Sequence, residues 1–171
     1  GEEFDVREAY YQSQESIKNA ITTVNAKVDT LINNASTFNN EQKLRYFNEQ
    51  LTKTNEYNRS SDLNSIDNDC RECISALEGR IGTNGPVCEA YARAFKVLCD
   101  EVNIPCVLVD GYAKNSAYSS GEAHMWNYVQ LNNSWYGADV TWNDPLGGAS
   151  GAVSGREDDN WLLVGSDTMI N

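Results

Sequence analysis

An α+β domain is predicted by three observations. Apolar residues recur at helical spacing through the first half of the chain. Aromatic, β-prone runs separated by turn signals occupy the second half. The two grammars are not interleaved, as they would be in a parallel βαβ fold. At 171 residues the chain is sized for one compact domain with a genuine core, at about 100–200 residues per domain. The expected division is a helical segment over 1–54 packed on a core formed by 55–171.

In chain order, the first helix is expected from Val6 to about Ile32, with Ile17, Ala20, Ile21, Val24, Val28 and Leu31 forming its apolar face and Asn33-Asn34 ending it. A second is expected over Asn40–Thr54, burying Leu44, Tyr46, Phe47 and Leu51. A polar loop follows to Asp69, then a short helix over Cys70–Glu78 with Asp67 or Asp69 as its cap. Gly79–Pro86, with three glycines and a proline, reads as a shaped loop. Pro86 suits the start of the next helix, whose face is Val87, Tyr91, Ala94, Phe95, Leu98 and Val102. Ile104–Tyr112, His124–Leu131 and Trp135–Trp142 are expected strands, the last two joined by a hairpin at Asn132-Asn133-Ser134. Gly147–Gly155 is a glycine-rich loop, readable as a lid or as an ordinary surface loop, and Trp161–Val164 a last short strand.

Composition narrows the function classes. With 13 basic against 25 acidic side chains the net charge is −12, and nothing neutralises phosphates, which argues against a nucleic-acid partner. No stretch approaches the ~18 apolar residues of a membrane span. One histidine rules out zinc sites built from several imidazoles. No signal-peptide pattern opens the chain, and a start at Gly1 without Met reads as a trimmed terminus that leaves room for a removed export signal.

Cys88 sits in the first turn of a helix, directly after Gly85-Pro86-Val87. Unpaired N–H groups and the positive end of the helix dipole lower a thiol pKa there, and the same N–H groups can hold an oxyanion. The bland alternative is an inert buried cysteine. A catalytic thiol needs a base, and His124 is the one imidazole available. It shares a strand face with Trp126 and Tyr128. If Asn132-Asn133 form a two-residue turn, Trp126 faces Asp139 and His124 faces Thr141. His124 and Asp139 are then diagonal neighbours, roughly 7–8 Å apart at the backbone. A three-residue turn without a bulge places them on opposite faces, and His124 is then a core residue walled by aromatics. Cys88, His124 and Asp139 together supply a nucleophile, a base and an orienting carboxylate.

Three segments carry a family resemblance. Gly85-Pro86-Val87-Cys88-Glu89-Ala90-Tyr91-Ala92 resembles the nucleophile helix of transglutaminase-like cysteine enzymes. Gly121-Glu122-Ala123-His124-Met125-Trp126-Asn127 resembles their histidine strand, and Trp135-Tyr136-Gly137-Ala138-Asp139-Val140-Thr141-Trp142 their aspartate strand. The resemblance covers about 55–142 well and the flanking parts loosely. It implies a papain-like α+β core and a thioester acyl-enzyme that passes its acyl group to an amine or to water. It makes Cys88 the nucleophile, His124 the base and acid, Asp139 the orienter and Trp142 a shield for the His–Asp pair. It also implies an upstream oxyanion donor, for which Tyr57 and Asn84 are the weak candidates. No calcium cage is evident, so no metal or cofactor is expected. The implied substrate is a Gln side chain or peptide amide of a protein, with cell-wall association, in a bacterial extracellular or cell-surface setting.

Two other readings stay open. One is a catalytically idle domain that uses the fold to bind protein or cell wall. The other is a thiol-disulfide redox protein using Cys70 and Cys73. Cys70, Cys73, Cys99 and Cys106 are an even remainder that permits disulfides such as Cys99–Cys106. The acidic surface would favour cationic or amine-bearing substrates.

Overall fold

The computed structural model describes residues 13–60, 69–114, 121–144 and 158–165. Helix α1 spans Gln14–Asn34 and α2 Asn40–Thr54. Each begins with a reciprocal capping box, Ser13 with Ser16 and Asn39 with Gln42, which satisfies amides the first turn would otherwise leave unpaired. The part of the first expected helix before Ser13, and the expected lid at 147–155, lie outside the described residues. Helix α1 buries less than its periodicity predicts. Val28 is its one fully buried residue, while Ile21 is 55% exposed.

Helix α3 is Cys73–Glu78, shorter than expected, with Glu72 at its N-cap and no side-chain cap bond among the described residues. Asp67 lies outside the described residues, and the Asp69 carboxylate is engaged by the Arg80 guanidinium. The helix ends at Gly79 with φ of 75°, a left-handed stop that glycine adopts without strain. After a 3-10 turn at Gly82–Asn84, α4 runs Cys88–Glu101.

The sheet is antiparallel, in the order β1 (Cys106–Ala113), β2 (Glu122–Leu131), β3 (Ser134–Ala138), β4 (Leu162–Val164). The hairpin turn is Asn132-Asn133, both with positive φ (52° and 65°), so Leu131 pairs with Ser134 and Asn127 with Ala138. The expected strand to Trp142 stops early. Pairing ends at Ala138, and Val140–Asn143 form a one-turn helix, α5. The Asp139 side chain causes the stop, because it accepts the Trp142 amide hydrogen bond and nucleates a turn. Trp126–Asp139 and His124–Thr141 are therefore not strand partners.

Helix α4 packs on β1 and β2 with one side and is enclosed by α1, α2, α3 and α5, most extensively by α3. The core joins Phe47 and Leu51 of α2, Tyr91, Phe95 and Leu98 of α4, and Val129, Ala138 and Leu162 of the sheet. Both long helices thus contribute to one core rather than covering a separate one.

Candidate active site

Cys88 opens α4, and the chain before it is held by backbone bonds on two sides. Val87 N–H donates to the Cys70 carbonyl at 3.0 Å, and Asn58 N–H to the Pro86 carbonyl at 2.9 Å. Glu56 N–H donates to the Arg80 carbonyl at 3.0 Å, and Asn55 Nδ2–H bonds the Leu51 and Ala76 carbonyls at 2.9 and 2.8 Å. These bonds lay residues 55–58 alongside the approach to Cys88. The contact requires Gly85: a Cβ there would lie 2.0 Å from the Glu56 carbonyl oxygen.

The result places Tyr57 against Cys88, where its hydroxyl is hydrogen-bonded to both the backbone amide and the thiol. Burial first, and then the Cys88 charge, push the Tyr57 phenol up to about 12, so it stays a neutral donor at working pH. Asn84, the other candidate, is exposed at the end of the 3-10 turn, and no hydrogen bond joins it to Cys88 among the described residues.

His124 lies on β2 across from Gly111 of β1. Its Nε2–H donates to Asp139 Oδ2 at 2.6 Å, and its ring also hydrogen-bonds the Cys88 thiol. With Nε2 committed to the carboxylate, Nδ1 is the nitrogen left for sulfur. Asp139 is divided between two tasks, since Oδ1 accepts from Trp142 N–H at 3.1 Å. Its own N–H donates to the Trp161 carbonyl at 2.8 Å.

Burial by itself would raise the Cys88 pKa. The hydrogen bond and charge of His124, with the Met125 and Glu89 amides, outweigh burial and hold the thiol below its ordinary value. Burial would likewise lower the His124 pKa, yet its bonds to Asp139 and Cys88 lift it from 6.5 to about 9. Both directions describe a thiolate–imidazolium pair near neutral pH. Glu89, the next residue, is neutralised by Arg93 at 2.8 Å and Arg71 at 4.0 Å.

The imidazole is sandwiched between indoles. Trp126 stacks at 5.8 Å and 21°, and Trp142 at 5.4 Å and 19°. Trp161 meets Trp142 edge-on at 4.7 Å. Trp126 had a sequence signal, the two-residue spacing from His124 on one strand face; Trp161 had none. A polar clasp holds α5 from behind: Asn143 Nδ2–H donates to Asn48 Oδ1 at 2.9 Å, and Trp161 N–H donates to Asn143 Oδ1 at 2.8 Å.

The structure thus brings Cys88, His124, Asp139, Tyr57 and Trp142 together and leaves Asn84 outside. Cys99 and Cys106 are hydrogen-bonded neighbours rather than a disulfide, and burial raises the Cys99 pKa well above normal. Among the described residues no cluster of His, Cys, Asp or Glu could hold a metal ion, and no helix is long and apolar enough to cross a membrane.

Residues 12–140 match the family model of the transglutaminase-like superfamily. The chain belongs to that superfamily. The match extends upstream of the motif-bearing segment and takes in both long helices. Kyphoscoliosis peptidase from Mus musculus is 35% identical over 65 residues, covering 34% of this chain and 10% of the relative. The Homo sapiens protein is 34% identical over the same length. The matched segment is thus about a tenth of the length of these relatives. A crystal structure of a candidate cysteine protease from Cytophaga hutchinsonii superposes with a TM-score of 0.54, at 20% identity, over 82% of this chain and 45% of that one. The fold is the α+β, papain-like core of the transglutaminase-like superfamily. Family and fold support an enzyme of the cysteine peptidase or acyltransferase type.

Proposed function

We propose that this domain carries out acyl transfer at amide bonds of a protein or peptide through a thioester on Cys88. The observation that carries this reading is the double engagement of His124, bonded to Asp139 on one side and to the Cys88 thiol on the other. The Cys88 thiolate adds to the carbonyl carbon of a Gln side chain or peptide amide. The oxyanion that forms takes hydrogen bonds from the Cys88 amide and the Tyr57 hydroxyl. Collapse expels the amine, which leaves with the proton held by His124, and the acyl group remains on sulfur. His124, now neutral, accepts a proton from the incoming amine or water as it attacks the thioester, and the thiolate is released. Asp139 keeps the ring oriented and stabilises its charged form, as in other triads. Trp126 and Trp142 keep water from the imidazole faces.

The test is Cys88→Ala, assayed for fluorescent-amine incorporation into a Gln-bearing protein and for hydrolysis of a peptide library. Both activities are expected to vanish, and mass analysis of the wild-type products separates transfer from hydrolysis. Activity that survives the substitution overturns the reading.

A further inference from the structure

Tyr91 and Asp144 form a buried pair that the chemistry above does not use. Tyr91 is 0% exposed and lies one turn after Cys88 on α4. Its hydroxyl donates to Asp144 Oδ2 at 2.5 Å. Asp144, 2% exposed, closes α5, the short helix that Asp139 opens, and its N–H bonds the Val140 and Thr141 carbonyls at 3.1 and 3.2 Å. The Tyr91 ring lies parallel to Tyr57, 5° between planes and 6.5 Å between centroids. One side chain therefore touches the helix bearing Cys88, the turn bearing Asp139 and the segment bearing Tyr57. Burying a carboxylate is costly unless its bonds are satisfied, so a purely packing role would be met more simply by Phe facing an apolar residue.

We propose that the Tyr91–Asp144 hydrogen bond is a positioning device. It holds α5 in register with α4, so that the His124 ring carried by Asp139 meets the Cys88 thiol. The inference rests on the triad reading, but its test does not need substrate. The charged and titratable groups around the thiol are His124 and Glu122 of β2, Tyr57 of the 55–58 segment, and Glu89 of α4 with its arginine partners. Asp139 lies behind the imidazole.

The measurement is the pH dependence of Cys88 alkylation by iodoacetamide, read by mass spectrometry. Tyr91→Phe keeps the ring stack and removes only the hydroxyl; Asp144→Ala removes the acceptor. Each is expected to raise the alkylation midpoint, and each pH unit by which the midpoint stands above the working pH slows the reaction there about tenfold. Asp144→Asn keeps a carbonyl acceptor while removing the charge, and is expected to restore most of the wild-type profile. Loss of a nearby negative charge acting through space would move the midpoint the other way, because it would favour the thiolate.

Midpoints unmoved in Tyr91→Phe and Asp144→Ala, whatever happens to melting temperature, would reduce the pair to a structural tie and overturn the proposal. So would an Asp144→Asn profile matching Asp144→Ala. Should Tyr91→Phe not fold, the two Asp144 variants carry the same comparison. Amide-cleaving activity in Cys88→Ala would instead sink the acyl-transfer reading and leave these titrations interpretable.

Discussion

Asp139 reaches His124 from outside the sheet: Nε2 and Oδ2 are 2.6 Å apart, yet strand pairing has already ended at Ala138. The carboxylate serves the imidazole with one oxygen and the Trp142 amide with the other. Asp139→Asn keeps an acceptor for that amide but cannot hold the imidazolium. Its Cys88 alkylation midpoint is expected to rise, and each pH unit by which the midpoint stands above the working pH makes the reaction there about tenfold slower. Asp139→Ala is expected to lose the cap as well, costing about 1 kcal/mol more in urea unfolding. Equal stability of the two variants would show that the cap contributes nothing.

The raised His124 pKa makes stability depend on pH in a defined direction. The unfolded imidazole titrates near 6.5 and the folded one at about 9. A raised pKa contributes stability fully below the lower value, and that contribution fades as pH climbs to the higher one. Comparing Cys88→Ala with Cys88→Ala/His124→Gln removes the opposing thiol titration. The gap in unfolding free energy is expected to be largest at pH 6 and to shrink towards pH 9; a gap constant across this window contradicts the raised imidazole pKa. Because Cys88 itself helps raise the His124 pKa, the upper edge should lie lower in this background.

Gly85→Ala tests the seat of Tyr57. The added methyl would fall 2.0 Å from the Glu56 carbonyl oxygen, a backbone atom that cannot swing aside. Overpacking of this kind costs about 1–3 kcal/mol or more, expected as a fall in melting temperature of about 2 °C or more. Any folded fraction should show the Tyr57 phenol titrating below about 12 in ultraviolet difference spectra, because Tyr57 would have left its buried position.

Gly111→Ala tests the indole sandwich. Gly111 pairs with His124, and a Cβ there would approach Trp126 Cη2 to 2.9 Å. The indole must shift, moving away from the imidazole it stacks on. A change in tryptophan fluorescence and a faster exchange of the His124 ring proton in NMR are expected, at a stability cost of about 1 kcal/mol. An unchanged ring-proton exchange rate would show that Trp126 does not exclude water.

Much of this arrangement was legible in sequence because it depends on local signals. Gly85-Pro86 ahead of an apolar period placed Cys88 at a helix start, and Asn132-Asn133 fixed the hairpin register through residues that accept positive φ. The early end of β3 was not legible. Trp135–Trp142 is bounded by aromatic and β-branched residues that read as one strand, but the Asp139 side chain caps the Trp142 amide and starts a helical turn. His124 and Asp139 still meet, although by a different route from the strand diagonal. Tyr91 was legible as part of the apolar face of α4 and Trp161 as the start of a strand, but the Tyr91–Asp144 bond and the Trp161–Trp142 contact were not, because they join segments distant in sequence. The same holds for Ile21, whose helical spacing says that a face exists but not whether anything covers it.

The Asn48–Asn143 bond bears on how this domain could be cut or grafted. A fragment starting at residue 55 would retain Tyr57, Cys88, His124 and Asp139. It would nevertheless lose Leu44, Phe47 and Leu51 from beneath Tyr91 and Phe95, along with the amide that braces the turn bearing Asp139. The smallest portable unit therefore includes α1 as well as α2, because Val28 belongs to the same core, and a chimera joined downstream of α2 would inherit Cys88, His124 and Asp139 without the helices that pack beneath them.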